Sequence, residues 1–426
     1  MSSPSEQRGS PDDVVVTGFG ALTPVGLDTA TTWAALLDGR SGVGPIAAFD
    51  SSRLQVHVAA EVRGFDPGFL TTKVRRRTAR FSRLALAAAR EAVADAGLTI
   101  TGPDQPDGVP AERVGVVVNN TVAGFETIEQ ATREVVADDQ VRLSPYFVAS
   151  SLTNMPACEV AIDLGAHGPV NASALACASG VEAFLAARRL ILAGDADVVV
   201  CGGTDAAITP VMFTGLQGMG ALSTNQRDPA EVSRPFDSDR DGFVFGEGAV
   251  LAVLESAAHA RTRGATPYAR VLGGALTADA FHVSAPAPDG EYAARAIDLA
   301  LERTGVAPGE VDYVCAHGTS TRANDRTETV AIRRAYGRAA DDLAVSSPKS
   351  MVGHLIGAAG ALGVMVCALA IRDGVVPPTI NLDTPDPECD LDYVPKVARE
   401  MPVRTTVTNA FGFGGQNCVA VLAKPG

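Results

Sequence analysis

Short Val-rich apolar runs alternate with helix-length amphipathic stretches along this chain, and the alternation starts over near residue 265. Nothing else in the sequence limits the possible folds as much. "DVVVTGFGALTPVG" reads as a buried strand entering a Gly-rich turn. "TATTWAALLDG" reads as a helix, capped by Thr29 or Thr31 and stopped at Gly39. "KVRRRTARFSRLALAAAREAVADAG" reads as one amphipathic helix with a basic first turn. "RVGVVVNN", "PVNASAL", "DADVVVCGG" and "GAVLAVLES" follow as strands, with helices at "NMPACEVAIDLG" and "SGVEAFLAARRLILAG". The second run has strands at "YARVLGGALTAD", "VDYVCAHGT" and "LAVSSPKS", a helix at "EYAARAIDLALERTG", and a closing hairpin, "TTVTNAFGFGGQNCVAVLAK". Such alternation implies α/β sheets covered by helices. Its restart implies two duplicated halves, 13–265 and 266–426. They follow a polar tail, 1–12, that reads as disordered and has no apolar core of a signal peptide.

At 426 residues the chain is long enough for two domain-sized halves. Leu355 to Ile371, "LIGAAGALGVMVCALAI", imitates a membrane span but stands alone, at the short end of the roughly 17–25 residues needed. A helix apolar on every side also suits the centre of a layered core, and that is the expected role. A net charge of −14 argues against nucleic acid, while leaving room for a local basic patch that meets an acidic partner. Seven widely spaced cysteines contain no CxxC, so reduced thiols in a cytoplasmic protein are expected rather than a zinc site or disulfide framework. The GxG of "VTGFG" lacks the remaining spacing and the later acidic residue of a dinucleotide fingerprint.

Cys177 stands in "NASALACASGVEAF", at a strand-to-helix turn among small residues. A thiol at a helix N-terminus is drawn toward thiolate. The stretch by itself leaves nucleophile and small core residue equally open. Of the six histidines, His317 in "AHGTSTRANDRTE" and His354 in "SSPKSMVGHLIGAAG" stand at strand ends, flanked by Gly and hydroxyl residues. Active sites of α/β folds gather at such loops. One Cys with two His fits a hydrolase or an acyl-transfer enzyme.

"ACASG", "AHGTST", "KSMVGH", "NAFGFGGQN" and the block "RPFDSDRDGFVFGEGA" (Arg234 to Ala249) occur in one order between Val14 and Ala423. In these motifs the chain resembles the β-ketoacyl-acyl-carrier-protein synthases of the thiolase superfamily. The resemblance implies a five-layered αβαβα thiolase fold with duplicated halves. It implies that Cys177 takes an acyl chain from a carrier-protein thioester. His317 and His354 would then donate to the enolate left when malonyl thioester loses CO₂. Lys349 would fix one histidine, and Glu328 would support Lys349. The backbone N–H groups of Cys177 and Phe413 would form the oxyanion hole, with Phe413 also a gate between glycines. Thr319 and Thr321 would hold the phosphopantetheine arm, and Val122 and Phe125 would shape the acyl tunnel. Lys73, Arg75, Arg76, Arg77 and Arg80 would dock the acidic acyl carrier protein. No permanently bound cofactor or metal, no nucleic acid and no membrane is implied.

"TRANDRTET" and "DPECDLDYVP" are similar to the ketosynthase subunit of type II polyketide synthases, which pairs with a cysteine-less chain-length factor. "NAFGFGGQN" is more similar to the fatty-acid elongation enzyme, which would pair with itself. The polyketide branch is the expectation, and the mixture suits a pathway with reduced or polyene chains. Housekeeping fatty-acid elongation is the alternative. A non-catalytic chain-length subunit is disfavoured because Cys177, His317 and His354 are all kept, and a thiolase because of His354. One departure stands out. Gly363 occupies the place where the family usually carries a buried glutamate near a cation, which puts a cation site in doubt. His282, in "DAFHVSAPAPDG", is expected to be structural.

Overall fold

The computed structural model describes residues 13–101, 108–137 and 142–426; the tail expected at 1–12 lies outside them. Strands β1 (Val14–Leu22), β2 (Val114–Asn119), β3 (Val170–Asn171), β4 (Val198–Asp205) and β5 (Gly248–Ser256) lie side by side in the order β3-β2-β4-β5-β1. Strands β6 (Ala269–Ala278), β7 (Tyr313–Cys315), β8 (Ala344–Ser346), β9 (Thr405–Gly412) and β10 (Gln416–Ala423) repeat that order as β8-β7-β9-β10-β6. The senses repeat too. In each half the first three strands in space are parallel and the last two pairings antiparallel. Even the irregularity recurs: the register shifts between Val16 and Gly18 in β1, and between Val271 and Gly273 at the matching place in β6. The halves meet along β1 and β6 through only Val15↔Arg270 and Val16↔Ala269.

Helices complete five layers. α1 (Arg80–Asp95) and α2 (Met155–Leu164) cover the outer face of the first half-sheet. α3 (Ser179–Leu192) and α6 (Ala359–Asp373) lie between the two half-sheets. α4 (Glu291–Thr304) and α5 (Arg322–Tyr336) cover the second. Three apolar clusters fill the spaces between these layers. The membrane-like run is the central α6, buried at every residue from Ala359 to Ile371. Its apolar girth follows from having protein on all sides.

Three expectations are corrected by the structure. The first strand does not turn at its glycines: β1 runs through Gly18 and Gly20 to Leu22. A Cβ at either position would overlap a carbonyl oxygen of α1, Ala92 or Ala88, so these glycines seat a helix against the sheet. The basic run and the helix after it are not one element. A short helix, Thr72–Arg77, ends where Thr78 turns extended (φ −113°), with its hydroxyl donating to Val74 O at 2.8 Å. Arg75, Arg76 and Arg77 thus occupy the last turn of a separate helix, where cations complement the dipole. The first helix of the chain is likewise capped by Asp28, whose carboxylate accepts from Thr31 N, and not by Thr29 or Thr31.

The two central helices touch at their first turns. A Cβ on Gly180 would overlap Ala361 N, and one on Gly360 would come within 2.7 Å of Val181 N. This close approach brings the residue just before α3 against the loop just before α6.

Candidate active site

Cys177 sits two residues before α3, on a turn whose preceding residue, Ala176, has φ 48°. The turn is tied down locally. Ser179 Oγ accepts from Leu175 N and donates to Ala176 O, each at 2.8 Å, and Thr121 Oγ1 donates to Ala176 O at 2.8 Å. Ser320 (φ 68°), after His317, and Ile356 (φ 50°), after His354, adopt the same left-handed backbone. Such residues are each strained by about 1–3 kcal/mol and persist where surrounding structure holds them.

His354 Nε2 lies 3.0 Å from Cys177 Sγ. Its Nδ1 accepts the N–H of Ile356 at 3.1 Å, which places the ring proton on Nε2, facing the sulfur. The His317 ring stands 5.5 Å from that of His354, nearly perpendicular at 83°. One ligand atom from each of Cys177, His317 and His354 falls within 4.8 Å of the others. The main chain of His317 is clamped from both sides. Its N–H donates to Glu328 Oε1 at 2.8 Å, and its carbonyl accepts from Lys349 Nζ at 2.6 Å. Glu328 also accepts from Gly318 N and Asn409 Nδ2. Among the described residues no ion pair joins Glu328 to Lys349; the two converge on His317 instead.

Burial sets the protonation states. It holds both imidazoles well below the ordinary histidine value, with the charge of Lys349 adding to the effect, so both rings are neutral. It lowers Lys349 and raises Glu328. The Cys177 thiol is pushed up to about 11 by burial, despite opposing help from Lys349 and from the backbone N–H groups of Phe413 and Cys177. The thiolate expected from a helix N-terminus is therefore not the resting state, because desolvation outweighs the dipole.

A pocket of about 450 Å³ surrounds the trio and is lined largely by apolar side chains, among them Val122, Met212, Leu216, Phe245, Ile356 and Phe413. Thr319 and Thr321 line it as well, with their hydroxyls 2.9 Å apart; Thr321 also caps α5 by accepting from Asn324 N. Phe125 lies behind the wall, in the apolar cluster that includes Val122 and Phe413. Phe413 heads the three-residue turn between β9 and β10, where Gly414 and Gly415 take φ 81° and 72°. Arg77 is drawn inward onto Glu159, and Arg80 onto Glu247, while Lys73, Arg75 and Arg76 stay exposed. At Gly363 a Cβ would overlap Thr408 Oγ1, with Cys315 Sγ at 3.6 Å, so other side chains fill the place of a longer residue. His282 is exposed and accepts the N–H groups of Ser284 and Ala285.

The sequence reading missed Asp205. It ends β4 without exposure, and its carboxylate accepts the N–H groups of Thr121 (3.0 Å), Val122 (3.1 Å) and Gly357 (2.7 Å). It thereby ties the turn beside Cys177 to the loop that orients His354. Burial raises its pKa to about 7 against the pull of those donors.

Family comparisons agree with this geometry. The model for the β-ketoacyl synthase N-terminal domain matches residues 11–260, and that for the C-terminal domain matches 268–383. The chain belongs to the β-ketoacyl synthase family. The synthase is 44% identical over 412 residues to 3-oxoacyl-[acyl-carrier-protein] synthase 2 of Synechocystis sp., covering 96% of this chain and 98% of that one. Its identity to the enzyme of the same name from Staphylococcus aureus is 43%, with the same coverage. Among solved structures, the ishigamide ketosynthase/chain length factor superposes with a TM-score of 0.89 at 36% identity, covering 97% of this chain and 99% of that chain. A type II polyketide synthase acyl-carrier protein in complex with its ketosynthase bound to the hexaketide gives 0.89 at 31%, with the same coverage. The synthase is thus an acyltransferase-type condensing enzyme of the thiolase fold, acting on acyl groups carried on acyl carrier protein.

Proposed function

We propose that the synthase extends an acyl chain held on Cys177, with His317 and His354 stabilising the enolate, and that the chain is largely unfunctionalised. The 3.0 Å contact of a tautomer-defined His354 Nε2–H with Sγ carries this reading. Cys177 attacks the carrier thioester, and the N–H groups of Cys177 and Phe413 hold the developing oxyanion. The thiol proton ends on the departing pantetheine thiol. His354 does not serve as a base here, since its Nδ1 already accepts and its Nε2 already carries a proton; it donates to sulfur as charge grows there. Malonyl thioester then loses CO₂, and its enolate oxygen accepts from the two neutral imidazoles. The carbanion attacks the acyl-Cys carbonyl, the C–S bond breaks, and Cys177 leaves as thiolate and regains a proton. Thr319 and Thr321 hold the arm, Lys349 and Glu328 hold His317 in place, and Lys73 and Arg76 meet the carrier protein.

The apolar pocket favours a chain without many keto groups, as in a reduced or polyene type II polyketide. The likeness to the ishigamide ketosynthase/chain length factor and to a type II polyketide ketosynthase, with the "TRANDRTET" segment, supports the type II polyketide branch. A second reading, fatty-acid elongation, is favoured by the 43–44% identity to the two synthase 2 relatives. The pathways differ in partner. The β3 edge carries exposed Val170, and Val136, Val148 and Leu152 are exposed elsewhere in the first half, apolar side chains that another subunit would cover. We place the boundary between halves at 265/266, ahead of β6. Extension of an acyl carrier protein by malonyl carrier protein, read by product mass, tests the chemistry; normal extension by Cys177→Ala sinks it. Co-purification with a cysteine-less homologue supports the polyketide branch, and an active homodimer supports fatty-acid elongation.

A further inference from the structure

Beside the mouth of the catalytic pocket lies a second cleft, of about 550 Å³. It shares Pro286 and Ala323 with the catalytic pocket's wall, so the two adjoin at these residues. Three arginines line it, Arg240, Arg322 and Arg326, against two carboxylates, Asp386 and Glu388. The charges are unevenly matched. Arg240 is buried and saturated: it pairs with Asp386 at 2.6 Å and donates to the main-chain oxygens of Asp237, Thr321 and Arg322. Arg326 meets Glu388 at 2.9 Å, with both side chains more than half exposed. Arg322 is exposed and donates only through Nε, to Arg240 O at 3.2 Å; among the described residues no carboxylate lies within salt-bridge reach of it. With Asp325 also 3.4 Å from Arg240, three carboxylates face the three arginines, yet the guanidinium fork of Arg322 is left unspent.

We propose that the Arg322 cleft receives the phosphate at the outer end of the phosphopantetheine arm whose thioester reaches Cys177. The inference rests on the carrier-dependent condensation described above. An arm leaving Cys177 passes His317, then the hydroxyls of Thr319 and Thr321, then Ala323 at the shared wall, and there it meets the cleft. The arm's chemistry matches that sequence of surroundings: amides lie along its length and a phosphodiester at its far end. A guanidinium presents paired N–H groups that match two phosphate oxygens. Arg326, one helical turn on at i+4, adds a second cation, because an exposed bridge such as Arg326–Glu388 is weak enough to yield. Arg240 holds the carbonyls of Thr321 and Arg322, so the segment presenting Arg322 is fixed before the arm arrives.

Two small thioesters test this, acyl-pantetheine and acyl-phosphopantetheine, which differ only in the phosphate. Loading of Cys177 is followed by intact mass and gives KM and kcat for each. Wild type should show a KM about tenfold lower for the phosphorylated donor, the size of one charge-assisted hydrogen bond. Arg322→Ala should abolish that preference and leave loading from acyl-pantetheine unchanged, and Arg322→Lys should restore part of it. An undiminished preference in Arg322→Ala overturns the proposal, as does its absence in wild type. Acyl carrier protein as donor separates the two sources of negative charge. A loss seen with the whole carrier but not with the small phosphorylated donor assigns Arg322 to the carrier's acidic surface and overturns the phosphate site. Failure of wild type to load from either thioester indicts the condensing reaction itself, a different result from any of these.

Discussion

Replacing Asp205 by asparagine removes a charge and keeps the shape. The carboxylate is fully buried, and its pKa is raised from 3.8 to about 7, burial outweighing four favourable contacts. An acid whose folded pKa is raised binds its proton more tightly folded than unfolded. Between 3.8 and about 7 the folded state keeps the proton and the unfolded state has lost it, so this group's contribution to stability falls with rising pH and levels off above about 8. The interval corresponds to about 4 kcal/mol, or roughly a thousandfold in the unfolding equilibrium. Asparagine does not titrate and has no such slope. The stability of Asp205→Asn relative to wild type should therefore rise by about 4 kcal/mol between pH 4 and pH 8.5, measured by urea unfolding across pH. Activity should move the other way. An amide has a single accepting oxygen, so its NH2 faces N–H donors on the other side and either Gly357 or Thr121 and Val122 lose their acceptor; the loops that aim His354 and Cys177 loosen, which should slow malonyl decarboxylation about 10- to 100-fold. A variant that is less stable than wild type by the same amount at every pH refutes the reasoning, for it would mean an ionised Asp205 of ordinary pKa.

With a thiol near 11, alkylation of Cys177 by iodoacetamide should keep accelerating beyond pH 9; a plateau near pH 7 would show a resting thiolate. Lys349→Met removes the donor to His317 O and the cation that opposes the rise of the Cys177 pKa. It should slow both alkylation at pH 8 and decarboxylation by about tenfold or more, as stopped assays of each can show. Gly363→Ala should destabilise by about 1–3 kcal/mol through overlap with Thr408 Oγ1, and Thr408→Ala in the same chain should restore most of that loss in a thermal-melt double-mutant cycle.

That Cys177, His317 and His354 belong to one site was legible because each stands in a short local motif. Their chemistry needs particular residue types at strand ends, where little else constrains the sequence. The repeat was legible for a related reason: alternation of strand and helix survives divergence of individual side chains. Asp205 was not legible. It is one acid at the end of an apolar strand, and its role comes from N–H groups at 121, 122 and 357 that only the fold brings together. The break at Thr78 was hidden because helix-favouring residues stand on both sides of it. The acidity of Cys177 was misjudged for want of its burial, which no neighbouring residue announces. Gly18 and Gly20 looked like a turn because the helix they accommodate lies some 70 residues away in the chain.

The order in which strands join the second half-sheet has a consequence during synthesis. Its middle strand, β9, is nearly the last to be made, and β10, which separates β9 from β6, comes later still. The first half has its middle strand by residue 205 and can close its sheet while the ribosome is still at work. The second half has β7 to pair with β8, but nothing to join that pair to β6 until residues 405–423 emerge. Phe413 travels in that same stretch. A nascent chain thus carries its thiol and both imidazoles for some time before it owns the turn proposed to complete the oxyanion site, and on that proposal it should not draw acyl groups from the carrier pool until the turn has emerged.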